Sequence, residues 1–267
     1  MRAYVINLAR SLDRRAHITA ELKKTGLDYE IITAVDGREL DLHDLATIDP
    51  AFLTQIVCPA GSAGAALSHL SAYRRIIADG LDEALVLEDD VMVPADLASL
   101  ADAVARQLTG AEVALLSVDC PDPCRMSREG SMPLPSGRLL ALPIDVHQPR
   151  SGGAYIITRE ACERLVKCAL PVRVQADTWW SFYREGILDR VRCVVPFPVA
   201  KSPKFTSTIG IYSLSDGLRA RLAGPVMRLK IPVLDQALRH RRQRIFDQWG
   251  RSEFADTPFI EKPSRLD

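Results

Sequence analysis

The chain has 267 residues, 47% of them hydrophobic and 25% charged, which suits a folded globular protein and excludes an intrinsically disordered one. Its 34 basic side chains are matched by 34 acidic ones, which excludes a whole-protein basic field for nucleic acid. No run approaches the roughly 18 apolar residues of a membrane-spanning helix. The short apolar run Tyr4 to Leu8 is followed at once by Arg10, Asp13, Arg14 and Arg15, too short and too charged for an export signal. The expectation is a cytoplasmic protein whose six cysteines, lacking paired zinc-site spacing, are free thiols.

In chain order, the apolar run 3–8 predicts a strand, and 11–25 a helix with Ser11 as its cap. A second strand is expected at 29–34, before the Asp36-Gly37 turn signal. Residues 62–79 carry Leu67, Leu70, Tyr73, Ile76 and Ile77 at helical spacing, and Gly80 ends that helix. A strand buried on both faces follows at 83–88, a helix at 95–108 and a strand at 112–118. The stretch 120–150, rich in Pro, Ser, Gly and Arg, reads as loops around a short hairpin near 137–146. A strand at 153–158, a helix at 159–168 and a short helix at 176–185 complete the series. Strands alternating with helices predict an α/β fold with a mostly parallel central sheet. From Leu218 to Arg251 nine basic residues face two aspartates, interleaved with Leu, Ile, Phe and Trp. Pro225 and Pro232 break any single long helix there. The organisation expected is a body over 1–215 and a basic, partly helical extension over 216–267.

The sharpest chemical signal is Glu88-Asp89-Asp90, at the carboxyl end of an apolar strand, where ligands bind in open α/β sheets. Adjacent carboxylates repel, and a hard divalent cation such as Mn²⁺ or Mg²⁺ relieves the repulsion. Residues 88 and 90 project to one side of an extended strand and can share a metal, whereas Asp89 points to the protein or to a ribose. The plain alternative is a solvated acidic turn. Asn7 and Arg10 lie between the first strand and the first helix, whose N-terminus with Arg14 suits a phosphate. There is no P-loop and no G-x-G-x-x-G, so dinucleotide binding is disfavoured.

Gly61 and Gly64 open the helix carrying Ser68 and His69, and permit close approach of a ligand backbone or of a neighbouring strand. A lone histidine on a helix is more often structural, so His69 by itself reads first as a structural residue and second as a functional one. Gly152-Gly153 either lets a sugar or base lie against the main chain or forms a plain turn. Asp177 precedes Trp179 and Trp180, which reads either as an acid with stacking rings for a sugar or as a helix cap with two core rings.

Four ordered segments resemble glycosyltransferase family 25. They are "YVINLARSLDRR" with "ITAVDGREL", then "GSAGAALSHLSAYRRIIADGLDEALVLEDDV", then "GGAYIITREACERL", and finally "TSTIG" at 206–210. The resemblance spans about residues 3–210, departing where Ala65 and Ala66 replace the family's usual cysteine. It implies a GT-A-like fold and transfer of a hexose, commonly galactose, from a UDP-sugar with inversion. It further implies that Glu88 and Asp90 lie nearest the metal in a DxD-like motif. Asn7, Arg10 and Arg14 then lie near the nucleotide, with Ser68 and His69 lining the donor site and Asp89 and Gly153 beside it. An inverting transfer needs a base at the acceptor hydroxyl, and Asp177 is the candidate. The acceptor implied is a glycan, lipopolysaccharide or another surface polysaccharide. A lipid-linked form at the inner face of the cytoplasmic membrane would suit the basic extension. Two other classes stay open: a nucleotidyltransferase with a similar metal site, and a non-catalytic transferase-like binding domain.

Overall fold

A computed structural model describes residues 1–56, 58–120, 122–205, 236, 240, 243, 244, 246 and 250–259. The family-like "TSTIG" segment and most of the basic extension lie outside the described residues. The chain opens with strand β1 (Arg2–Asn7), helix α1 (Leu12–Lys23) and strand β2 (Asp28–Thr33). Short helix α2 (Pro50–Gln55) and long helix α3 (Pro59–Ala78) lead to β3 (Glu83–Glu88) and the two-residue β4 (Val91–Met92). Helix α4 (Leu97–Ala105) and β5 (Glu112–Leu115) follow, then β6 (Cys124–Pro133) and β7 (Leu139–Pro143). The rest is β8 (Ala154–Thr158), α5 (Arg159–Cys168), α6 (Trp179–Arg184), β9 (Arg190–Val195), β10 (Ala200–Lys201) and β11 (Ser252–Ala255).

One nine-stranded sheet runs in the order β11-β6-β7-β9-β5-β8-β3-β1-β2. β1 pairs in parallel with β2 and β3, β5 with β9, and β6 with β11. Only β7 and β8 pair antiparallel to both neighbours, so the other seven of the nine strands share one direction. This is the α/β fold with a mostly parallel sheet that the alternation of elements predicts. Alternating side chains cover both faces of the sheet. Tyr4, Ile6, Val86, Val113, Tyr155 and Ile157 pack with α3, α5 and α6 on one face. Ala3, Val5, Leu85, Leu87, Ala114 and Ile156 pack with α1 and α4 on the other.

Three local results differ from expectation. The hairpin in 120–150 is longer and earlier, β6 and β7, and joins the main sheet through β9. Its first strand reads Cys-Arg-Met-Ser-Arg-Glu-Gly-Ser-Met-Pro and is largely exposed, so it lacks the apolar alternation that marks a strand. Strand β9, Arg-Val-Arg-Cys-Val-Val, is buried against β5 and β7 although its amino end is charged. Ser11 holds the N-cap position of α1 but makes no side-chain capping bond. From the extension, residues 236, 240, 243, 244 and 246 are helical, and Ser252–Ala255 adds an edge strand beside β6.

At the amino end of β5 the fully buried Glu112 accepts from Arg190 Nη1 and from Arg192 Nε, each at 2.8 Å. This pair ties β5 to β9 at the edge opposite the acidic motif. Removing Glu112 strands the buried Arg192 without its partner, and such losses cost about 3 kcal/mol or more. Glu112→Ala is therefore expected to lower unfolding stability by about 3 kcal/mol, read from urea denaturation.

Candidate active site

The carboxyl ends of the co-directional strands β1, β3 and β5 meet at one edge, and the segment after β9 crosses it. β1 ends at Asn7, β3 at Glu88, and Asp119 lies four residues beyond β5. β4 and β10 form a separate two-stranded sheet in which Lys201 pairs with Val91. Ser202 N–H donates to the Asp90 carbonyl at 2.7 Å, so this short ladder fixes Lys201 next to the acidic motif.

The three acidic residues divide their work. Asp89 turns inward. Asn7 Nδ2 donates to its Oδ2 at 2.6 Å, and Arg14 Nη1 pairs with its Oδ1 at 2.6 Å. Arg14 Nη2 reaches Asp90 Oδ2 at 3.1 Å, while the guanidinium carbon lies 5.3 Å from the Phe205 ring centre. Arg14 and Asn7 thus bind the protein's own motif, and both are buried. Glu88 is half-buried, with Oε1 3.8 Å from His69 Nε2, beyond hydrogen-bond length. Burial pushes the Glu88 carboxyl up, but His69, Lys201 and Arg14 outweigh it and hold it at about 2. Burial and then the Glu88 charge raise the Asp90 carboxyl.

His69 is buried and its Nδ1 is 2.6 Å from the Tyr155 hydroxyl, which donates to the Tyr73 hydroxyl at 3.1 Å. That chain fixes the imidazole edge facing Glu88. A Cβ on Gly152 would lie 3.2 Å from His69 Nε2 and 3.3 Å from Glu88 Oε1, so the residue must be small there. Gly153 receives the Glu88 N–H on its carbonyl at 2.9 Å. The α3 glycines act on the protein itself: a Cβ on Gly64 would lie 2.8 Å from the Val35 carbonyl oxygen. Ser68 Oγ accepts from Val35 N–H at 2.9 Å and donates to the Gly64 carbonyl at 2.6 Å, holding the same contact. Arg10 is exposed in the turn before α1 and pairs with Asp36.

Asp177 lies just before α6, half-buried. Burial and then the Glu88 charge raise its carboxyl, while His69 and Lys201 pull it down, so all four groups share one electrostatic environment. The two tryptophans separate. Trp179 is fully buried and its Nε1 donates to the Ser151 carbonyl at 2.8 Å, pinning the glycine turn. Trp180 is half-exposed, with its ring centre 4.6 Å from that of His147.

Sequence reasoning missed Asp119 and Lys201. Lys201 Nζ pairs with Asp119 Oδ2 at 2.7 Å. Burial pushes the Asp119 carboxyl up to about 6 against the pull of Lys201, with Glu88 and Asp90 adding repulsion. The signal for Asp119 was present: it follows an apolar strand as Glu88 does. Lys201 carried none, because only the β4–β10 pairing brings it there.

A metal fits this set. Asp90 Oδ1 is buried and has no hydrogen-bond partner, a costly state for a carboxylate oxygen. Among the described residues no three metal-ligating side chains converge. Ions of the Mg²⁺ type at phosphate sites take only one or two carboxylates, with water and substrate phosphates as the remaining ligands. Asp90 and Glu88 supply those hard oxygens.

Residues 1–120 match the family model of glycosyltransferase family 25 (LPS biosynthesis protein), which shows the resemblance over that segment. A glycosyltransferase 25 family member of Aedes aegypti is 37% identical over 95 residues, 33% of this chain and 16% of that protein. Human procollagen galactosyltransferase 2 is 33% identical over 95 residues, 33% of this chain and 15% of that protein. A mouse relative, 34% identical over 33% of this chain and 16% of its own length, is named an inactive glycosyltransferase 25 family member 3. The matched stretch is thus about a sixth of each relative's length. Among solved structures, a Drosophila β-1,4-galactosyltransferase 7 variant with manganese, UDP-Gal and xylobiose aligns at TM-score 0.33 and 13% identity. That alignment covers 72% of this chain and 63% of the other. A glycosyltransferase involved in glycosylation of the PBCV-1 major capsid aligns at TM-score 0.33 and 10% identity, over 76% of this chain and 81% of its own. Likeness at that level carries no further weight.

The raised Asp119 carboxyl has a testable sign. Its folded value of about 6 exceeds the ordinary 3.8, so its ionisation costs stability at pH 7, and the cost disappears as pH falls through 6 toward 4. Asp119→Asn lacks this dependence. The melting temperature of the wild-type chain minus that of Asp119→Asn is therefore expected to be larger at pH 4 than at pH 7, read by thermal denaturation.

Proposed function

We propose that this chain is a GT-A-like glycosyltransferase that moves a hexose, with galactose as the first candidate, from a UDP-sugar to a hydroxyl of a glycan acceptor. The observation that carries the reading is the buried, unpartnered Asp90 Oδ1 beside Glu88 at the carboxyl edge of the sheet, within the family-matched segment. The procollagen galactosyltransferase name among the relatives supports the choice of hexose.

Asp90 and Glu88 would hold Mn²⁺ or Mg²⁺, which when bound offsets the charge of the diphosphate and of the departing UDP. Arg14 and Asn7 keep Asp89 turned inward, so that Asp90 and Glu88 face the donor. Gly152 and Gly153 leave room for the donor sugar against the main chain. Inversion takes one displacement: the acceptor oxygen bonds to the anomeric carbon as the bond to the UDP oxygen breaks. The acceptor hydroxyl loses its proton to Asp177, whose carboxyl is raised by burial and Glu88 toward the range in which a base works well. The half-exposed Trp180 next to α6 offers an apolar ring for the acceptor sugar.

Lipopolysaccharide or another surface polysaccharide, in lipid-linked form at the inner face of the cytoplasmic membrane, is the acceptor setting proposed. Its support is the basic composition of residues 218–251 alone.

Calorimetric titration of UDP into the full chain is expected to show binding that requires Mn²⁺, and Asp90→Asn is expected to abolish it. Metal-independent or absent binding by the wild-type chain would discard the reading. Asp177→Asn is expected to keep UDP binding and lower turnover of the UDP-sugar about 10²- to 10⁴-fold. Unchanged turnover would move the base elsewhere. A wild-type chain that binds UDP with Mn²⁺ yet turns over no UDP-sugar with any glycan acceptor would favour a non-catalytic binding domain, the class to which one relative's name points.

A further inference from the structure

Lys201 is a partly buried side chain in the site that no sequence motif indicated, and its surroundings are specific. Its ammonium pairs with Asp119 at 2.7 Å, and its side chain is only 25% exposed. Its neighbours in charge are Glu88 and Asp90, the two residues placed nearest the metal, and all three carboxylates favour its protonated form. Its backbone is locked to the motif by the pairing with Val91 and by the Ser202 bond to the Asp90 carbonyl. A lysine held this way is not a mobile surface charge. It stands where a cation serves these carboxylates, yet it leaves Asp90 Oδ1 without a partner.

We infer that Lys201 is a resident counter-ion that competes with the divalent metal in the nucleotide-free protein, so that metal and UDP-sugar load together. This deepens the reading of the site given above and rests on it for the identity of the second ligand. The physics is Coulombic. Two like charges within one carboxylate cluster repel, and the nucleotide diphosphate brings the negative charge that lets both remain. Without nucleotide, Lys201 weakens the metal site. With it, the ammonium faces an anion of the right sign.

The test is Mn²⁺ titration of the full chain at low salt, without nucleotide, by calorimetry. Lys201→Met is expected to bind Mn²⁺ about ten-fold more tightly than the wild-type chain, the size expected for removing one unit charge several ångströms away. Lys201→Arg, which keeps the charge, is expected to bind as the wild type does. Asp119→Asn, which frees Lys201 toward Asp90 and Glu88 and removes a carboxylate, is expected to bind more weakly. Equal or weaker binding by Lys201→Met overturns the inference, as does Lys201→Arg behaving like Lys201→Met. Absence of Mn²⁺ binding in every chain also overturns it. Should Lys201→Met not fold, Asp119→Asn decides: equal or tighter binding overturns the inference. Titration of UDP at saturating Mn²⁺ separates the two claims. A chain that shows the Mn²⁺ pattern but takes no UDP keeps the role of Lys201 and loses the transferase reading.

Discussion

Negative charge crowded at one sheet edge is the constraint around which the molecule is built. Glu88, Asp89, Asp90, Asp119 and Asp177 come from three separate parts of the chain, and most of their side-chain surface is withdrawn from water. Carboxylates gathered this way raise one another's energy unless cations answer them. Two cations do so in part: the buried Arg14, shared between Asp89 and Asp90, and the partly buried Lys201, on Asp119. The fold supplies both by geometry. Helix α1 leaves β1 at the acidic edge and returns Arg14 over it, and the segment after β9 carries Lys201 across the same edge.

β3 ends at Glu88, and Asp89 and Asp90 stand in the turn before β4 rather than on an extended strand, so the turn and not strand alternation sets how the three carboxylates are placed. Asp89 faces inward and is held by Asn7 and Arg14. Glu88 is kept ionised beside His69 and Lys201, and Asp90 meets Arg14 through Oδ2 while its Oδ1 has no hydrogen-bond partner. Behind Glu88 the His69–Tyr155–Tyr73 chain and the small Gly152 fix the wall of the site. Trp179 performs the same service from α6 by hydrogen-bonding to the Ser151 carbonyl, and so sets where Asp177 stands.

The segment shared with glycosyltransferase family 25 ends at residue 120, and this boundary falls within the site. Asn7, Arg14, His69, Glu88, Asp89, Asp90 and Asp119 lie inside it. Gly152, Asp177, Trp180 and Lys201 lie beyond it. The acidic cluster of Glu88, Asp89 and Asp90 therefore lies within the family-matched segment.

The sequence by itself determined the alternation of strands and helices, the strand that ends in Glu88, and the candidate site at its carboxyl end. These are local properties: apolar runs of period two, helical spacing in α3, and carboxylates at a strand terminus. It also placed Asn7, Arg14, His69 and Asp177 among the candidates. It placed Ser68 in the donor site and left Gly64 open between a ligand and a neighbouring strand, and in the structure both meet the Val35 main chain. It could not separate Trp179 from Trp180, which differ only in which side of a short helix meets the core. The strand β6 was hidden because half of its residues are exposed and it carries no apolar alternation. Lys201 was hidden because a lysine's role depends on what lies across from it. Only the pairing of β10 with β4, between residues more than a hundred positions apart, puts that ammonium among the carboxylates.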